Sequence, residues 1–67
     1  MYKVIRTKKR VVVKEFNTVK ELLIYAEKIA YTKGDIQLFE NAVENVAIRD
    51  SGDLRAYATN LYLNSQI

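Results

Sequence analysis

Between Thr18 and Gly34, apolar residues recur at helical spacing: Val19, Leu22, Leu23, Ala26, Ile29 and Ala30 share one face. Thr18 and Glu21 have the Thr-x-x-Glu spacing of a capping box, with Phe16 ahead of the cap and Leu22 in the following turn as a hydrophobic staple. Gly34 suits the left-handed position that ends a helix, and Lys33 suits its negative end. The pattern predicts a central helix over 18–33. The face is already complete without Ile24 and Tyr31, which point nearly opposite its centre at about 100° per residue. Tyr25 lies on a flank, and the other outward positions (Lys20, Glu21, Glu27, Lys28 and Thr32) are polar.

Upstream, YKVIRTKKRVVVKEF over 2–16 is dense in β-branched and aromatic residues around a polar break, the pattern of a β-hairpin. With the turn at Thr7–Arg10, Val4 faces Val13, Ile5 faces Val12 and Lys3 faces Lys14. Tyr2, Val4, Val11 and Val13 then line the core face, while Lys3, Ile5, Val12, Lys14 and Arg10 line the other. The turn holds no Gly or Asn, so the register is weakly specified.

Downstream the pattern is two-valued. Phe39, Ala42, Val43, Val46 and Ala47 fit a helical face, as do Leu54, Tyr57, Ala58, Leu61 and Tyr62. Against this, Asp50-Ser51-Gly52 reads as a three-residue hairpin loop that sets Arg49 against Asp53 and Ile48 against Leu54. The expected architecture is α+β: the N-terminal β-hairpin (2–16), one central α-helix (18–33) and a β-rich C-terminal part with a hairpin around 45–59. The alternative is ββααα. Segment 36–40 fits a strand or a short helix, and no internal repeat or linker is visible.

Length narrows this to one small domain. A chain of 67 residues buries only about 60% of its unfolded surface, so its core is marginal. With no Cys and no His, disulfides and nearly all zinc, haem and iron–sulfur chemistry are excluded, which leaves self-association as the common route to extra stability. A homodimer is the expectation. The longest apolar run, Leu22–Ala26, is far short of the ~20 residues a membrane-spanning helix needs, so a cytoplasmic protein is expected.

Charge divides the chain. Residues 1–20 carry seven Lys and Arg against one Glu, whereas residues 21–67 carry four against seven Asp and Glu. Lys3, Lys8, Lys9, Arg10 and Lys14 make the hairpin a candidate nucleic-acid contact, since a two-stranded ribbon enters the major groove and its cations bind phosphate. Edge lysines also keep a hairpin soluble and block strand pairing.

Chemistry is sparse. The absence of His and Cys removes the usual general base and thiol nucleophile, two isolated glycines make no phosphate loop, and Asp50–Asp53 holds too few oxygens for a calcium loop. No cofactor or metal is expected. The reading is a non-catalytic protein-binding module, an accessory or inhibitory protein acting on a larger partner. Ile24, Tyr31 and Tyr25 are its contact, and the acidic stretch or the basic ribbon is a second surface. Nucleic-acid binding is the alternative. Abundant Asn, Lys, Ile and Tyr without Pro, Cys, His or Trp resembles the composition of accessory proteins of compact AT-rich genomes such as phage.

Overall fold

The computed structural model describes residues 1–8, 11–29 and 33–66. Two ββα units follow one another: β1 (Tyr2–Arg6), β2 (Val11–Phe16) and α1 (Val19–Lys28), then β3 (Ile36–Glu40), β4 (Val43–Asn45) and α2 (Ser51–Ser65). The strands form one antiparallel sheet in the order β2-β1-β3-β4, so the first strands of the two units meet at the centre and the second strands form the edges. The fold is α+β.

From its second strand onward, the second unit repeats the first at an offset of 32 residues. Buried Phe16 and Ile48, helix caps Thr18 and Asp50, buried Leu22 and Leu54, half-buried Tyr25 and Tyr57, and buried Ala26 and Ala58 are equivalent pairs. The capping is equivalent too. Thr18 Oγ1 accepts from the Glu21 N–H at 3.2 Å, and Asp50 Oδ1 accepts from the Asp53 N–H at 2.8 Å. In return, Glu21 Oε2 accepts from the Asn17 N–H and Asp53 Oδ2 from the Arg49 N–H, both at 3.2 Å. Each helix start thus has two otherwise orphaned backbone donors satisfied by side chains.

Val4 of β1 pairs with Leu38 of β3, and both are fully buried. With Phe16, Ile36 and Ile48 they meet Leu22 and Ala26 of α1 and Leu54 and Ala58 of α2 in one core. Side chains alternate along a strand, so this sheet face lies under the helices while Lys3, Ile5, Gln37 and Phe39 point to the other.

Three expectations need correction. The helix over 18–33 ends early: α1 stops at Lys28, and Ile29 is extended (φ −76°, ψ 143°) while its N–H still bonds the Tyr25 carbonyl. The last carbonyls are met from outside, by Arg55 of α2, whose Nε donates to Ala26 O at 3.4 Å and whose Nη2 donates to Ile29 O at 3.3 Å. Gly34 does adopt the left-handed conformation (φ 65°), but in the turn into β3.

The hairpin expected around 45–59 lies instead over 36–45, closed by Asn41 and Ala42, both at positive φ (51° and 70°). Residues 51–65 are helical, opened by the reciprocal cap of Asp50 and Asp53, with exposed Gly52 in the first turn. The ββααα alternative is right about that helix and wrong about 36–45.

The N-terminal hairpin forms over 2–16, and Ile5 pairs with Val12 as expected. Between Val4 and Ile5 the register shifts, so Val4 pairs with Lys14 and Lys3 with Glu15. One extra β2 residue is accommodated as a bulge, which turns every later side chain of that strand to the opposite face.

Candidate protein interface

The bulge decides where the basic residues go. Lys14 joins Val4 and Phe16 on the helix-covered face, its Nζ 5.5 Å from the centre of the Phe16 ring. Lys3 stands on the open face, beside Glu15 and 5.5 Å from the Phe39 ring centre. The two lysines expected to share a face are therefore on opposite faces. The Lys8 backbone N–H is bonded to Asp35 Oδ1 at 2.7 Å; Lys9 and Arg10 lie outside the described residues.

Asp35 anchors that end of the molecule. It is 4% exposed, and its Oδ2 accepts from Arg6 Nε at 3.1 Å and Nη2 at 2.9 Å. Its backbone carbonyl takes the Thr7 N–H. The Lys8 N–H, followed by the Arg6 guanidinium, holds the Asp35 carboxyl below its usual range, outweighing the effect of burial.

Of the three expected contact residues, Ile24 and Tyr25 fall together and Tyr31 lies outside the described residues. Ile24 is 43% exposed midway along α1, as its position off the core face requires. Tyr25 is half-buried, its ring 5.2 Å from that of Phe16 with the planes tilted by 44°. Burial raises the Tyr25 phenol above its ordinary value, and the positive charge of Arg6 opposes the rise. Between α1 and β2 these residues line a groove of about 180 Å³ with Lys14, Phe16, Glu21 and Lys28. Glu21 also caps the helix and keeps its charge, so the two lysines leave the groove with a positive excess of one.

A second groove occupies the equivalent place at the other sheet edge, between β4 and α2. It measures about 480 Å³ and is lined by Glu40, Asn41, Val43, Glu44, Asn45, Val46 and Tyr57. Val46 and Tyr57 stand 32 residues after Lys14 and Tyr25. Glu40 Oε1 accepts from the Tyr57 hydroxyl and from Asn45 Nδ2. The Tyr57 phenol is pushed up to about 12 by burial first, then by its hydrogen bond to Glu40 and that carboxylate's charge. The residues foretell the acidity of this edge; its cleft depends on the 36–45 hairpin, which they do not reveal.

Asp50 and Asp53 are spent on capping α2, and among the described residues no group of three or more acidic side chains is placed to hold a metal ion. Nor is any helix among them long and apolar enough to cross a membrane. Comparison of the chain with protein-family models, with curated proteins and with solved structures finds no match.

Proposed function

We propose that the chain is a small non-catalytic protein-binding module that acts as an accessory to a larger partner. Its contact is the groove of Ile24 and Tyr25, and its partner is a protein segment with an apolar side chain flanked by carboxylates. The observation that carries this is the 43% exposure of Ile24 beside half-buried Tyr25, whose ring packs on buried Phe16, with Lys14 and Lys28 at the groove. An apolar centre with a charged rim is the usual anatomy of a protein contact, and tyrosine serves there because its ring is apolar and its tip polar.

An unlike partner suits this surface better than a second copy. Antiparallel α1 helices crossing at Ile24 would set Lys20 against Lys28 and Glu21 against Glu27, like charges in both pairs. Protein also suits it better than nucleic acid, because the bulge separates Lys3 from Lys14 and leaves Lys3 next to Glu15. A phosphate backbone is held by a row of cations on one face.

A selection from displayed random peptides tests the reading. The expected winners carry Asp or Glu around an aliphatic or aromatic residue and lose binding to Ile24→Lys. Winners indifferent to Ile24→Lys, or no winners at all, would reject it.

A further inference from the structure

The sheet has a second face, away from the helices, and its chemistry does not depend on the groove at Ile24. We infer that two copies of this chain pack there face to face, about a two-fold axis that runs along β3 and passes between the two Phe39 rings.

An antiparallel sheet with one face in water alternates apolar residues inward with polar residues outward. The two central strands break that rule. Ile5 of β1 and Phe39 of β3 both stand on the open face and are only half-buried. A hollow of about 240 Å³ lies against Phe39, walled by Met1, Lys3 and Ala42, so a second ring can settle offset beside the first.

The charges on this face select a second copy. Cross-strand pairing sets Glu15, Lys3, Phe39 and Glu44 in one row across the sheet, in the strand order β2-β1-β3-β4. Lys3 and Glu44 therefore flank Phe39 on either side, each one strand spacing away, about 4.8 Å. A two-fold axis along β3 exchanges the flanks: Lys3 of each copy meets Glu44 of the other, and Glu15 overhangs the contact. Other placements fail. An axis along β1, or one laid across the strands in this row, sets Lys3 against Lys3. An axis between β1 and β3 sets Glu15 against Glu44. The Phe39 axis makes the face its own complement and keeps the strands of the two sheets nearly aligned, as in sheet-on-sheet packing.

Both charged groups are available. Among the described residues the Glu44 carboxylate makes no hydrogen bond or ion pair, and Lys3 makes no salt bridge. The Lys3 ammonium stands over the Phe39 ring, from which it can turn to a carboxylate of a second copy. The contact is small. Three strands about 4.8 Å apart and five residues rising about 3.4 Å each make a patch of roughly 14 by 17 Å, at the low end for a specific interface. The dimer is accordingly weak, with a dissociation constant between about 10 μM and 1 mM.

The test is sedimentation equilibrium of the full chain from about 10 μM to 2 mM, with amide chemical shifts followed over the same range. The expected result is a mass that rises from one chain to two, with shifts centred on Lys3, Phe39 and Glu44. Lys3→Glu and Glu44→Lys should each weaken association about tenfold or more, because each brings like charges together. Mixed with one another, the two variants should pair, since the mixture restores both unlike contacts. Their net charges are +3 − 2 = +1 and +3 + 2 = +5, both positive, so general attraction does not account for pairing. Should Lys3→Glu fail to fold beside Glu15, Glu44→Lys decides alone, because Glu44 is exposed and its loss of charge touches no internal bond. A one-chain mass at about 2 mM, which leaves the face to an unlike partner, would overturn the inference. So would a dimer indifferent to Glu44→Lys, folded variants that stay single on mixing, or shifts centred on Ile24 and Tyr25.

Discussion

Arg6 and Asp35, from the end of β1 and the turn before β3, are joined by two hydrogen bonds to a single carboxylate oxygen, at 2.9 and 3.1 Å. The other oxygen of Asp35 holds the Lys8 N–H. One buried acid thereby ties the β1–β2 turn to the entry of the second ββα unit.

Acid should loosen that tie. The carboxyl of Asp35 is held below its ordinary value of 3.8, so the native state binds its proton less readily than the unfolded chain does. Its contribution to stability is therefore complete above pH 3.8 and is lost as the pH falls below that value. Urea melts across the acid range should show stability falling with pH. In Asp35→Asn, stability should be lower at neutral pH and its acid dependence flatter. An unchanged acid dependence would mean that Asp35 does not couple the two units.

At the alkaline end the responsible group is Tyr57. Its phenol is raised from 10.0 to about 12, chiefly by burial and then by Glu40. The native state thus retains this proton longer than the unfolded chain, so the stabilisation is complete below pH 10 and disappears as pH rises toward 12. Phenolate absorbance should show a tyrosine titrating near pH 12 that is missing in Tyr57→Phe, while the raised Tyr25 remains.

The β3–β4 turn carries backbone strain. Ala42 sits at φ 70°, where its Cβ crowds the backbone, whereas neighbouring Asn41 at φ 51° belongs to a residue type that tolerates the left-handed region. Replacing Ala42 with Gly removes the crowding but gives the unfolded chain more freedom. The expected net gain is about 0.5–1 kcal/mol, a rise of a few degrees in Tm. A lower Tm for Ala42→Gly would refute the strain.

Residues that act on their own neighbourhood were legible in the sequence; residues that act at a distance were not. Thr18 and Glu21 announced the first helix by a local exchange of hydrogen bonds. Asp50 and Asp53 perform the same exchange, but Asp-Ser-Gly also satisfies a hairpin loop, and the choice between them rests on burial of Leu54 and Ala58, a tertiary fact. The carbonyls at the end of α1 are bonded by Arg55, almost thirty residues further along the chain. The Asn41–Ala42 turn lacks the glycine that usually marks a positive-φ pair. The β2 bulge has no signal in a run of three valines, yet it decides which face receives Lys14. Repetition of the ββα unit is equally hidden: of the equivalent pairs Leu22/Leu54, Tyr25/Tyr57 and Ala26/Ala58 are identical, whereas Phe16/Ile48 and Thr18/Asp50 are not, because packing preserves size and polarity and not identity. The outward position of Ile24, by contrast, followed directly from helical periodicity.

That position separates surface from core within a single turn of α1. Leu22 is fully buried and Ile24 is 43% exposed. Leu22→Ala removes packed methyl groups from the meeting point of helix and sheet and should destabilise the fold by about 2–5 kcal/mol, enough to leave a domain of this size largely unfolded. Ile24→Lys places its ammonium in water and should change stability by no more than about 0.5 kcal/mol. Denaturant melts of the two variants provide the check. If Ile24→Lys melts as early as Leu22→Ala, Ile24 is needed by the chain's own core, and the groove beside it is not a free surface for a partner.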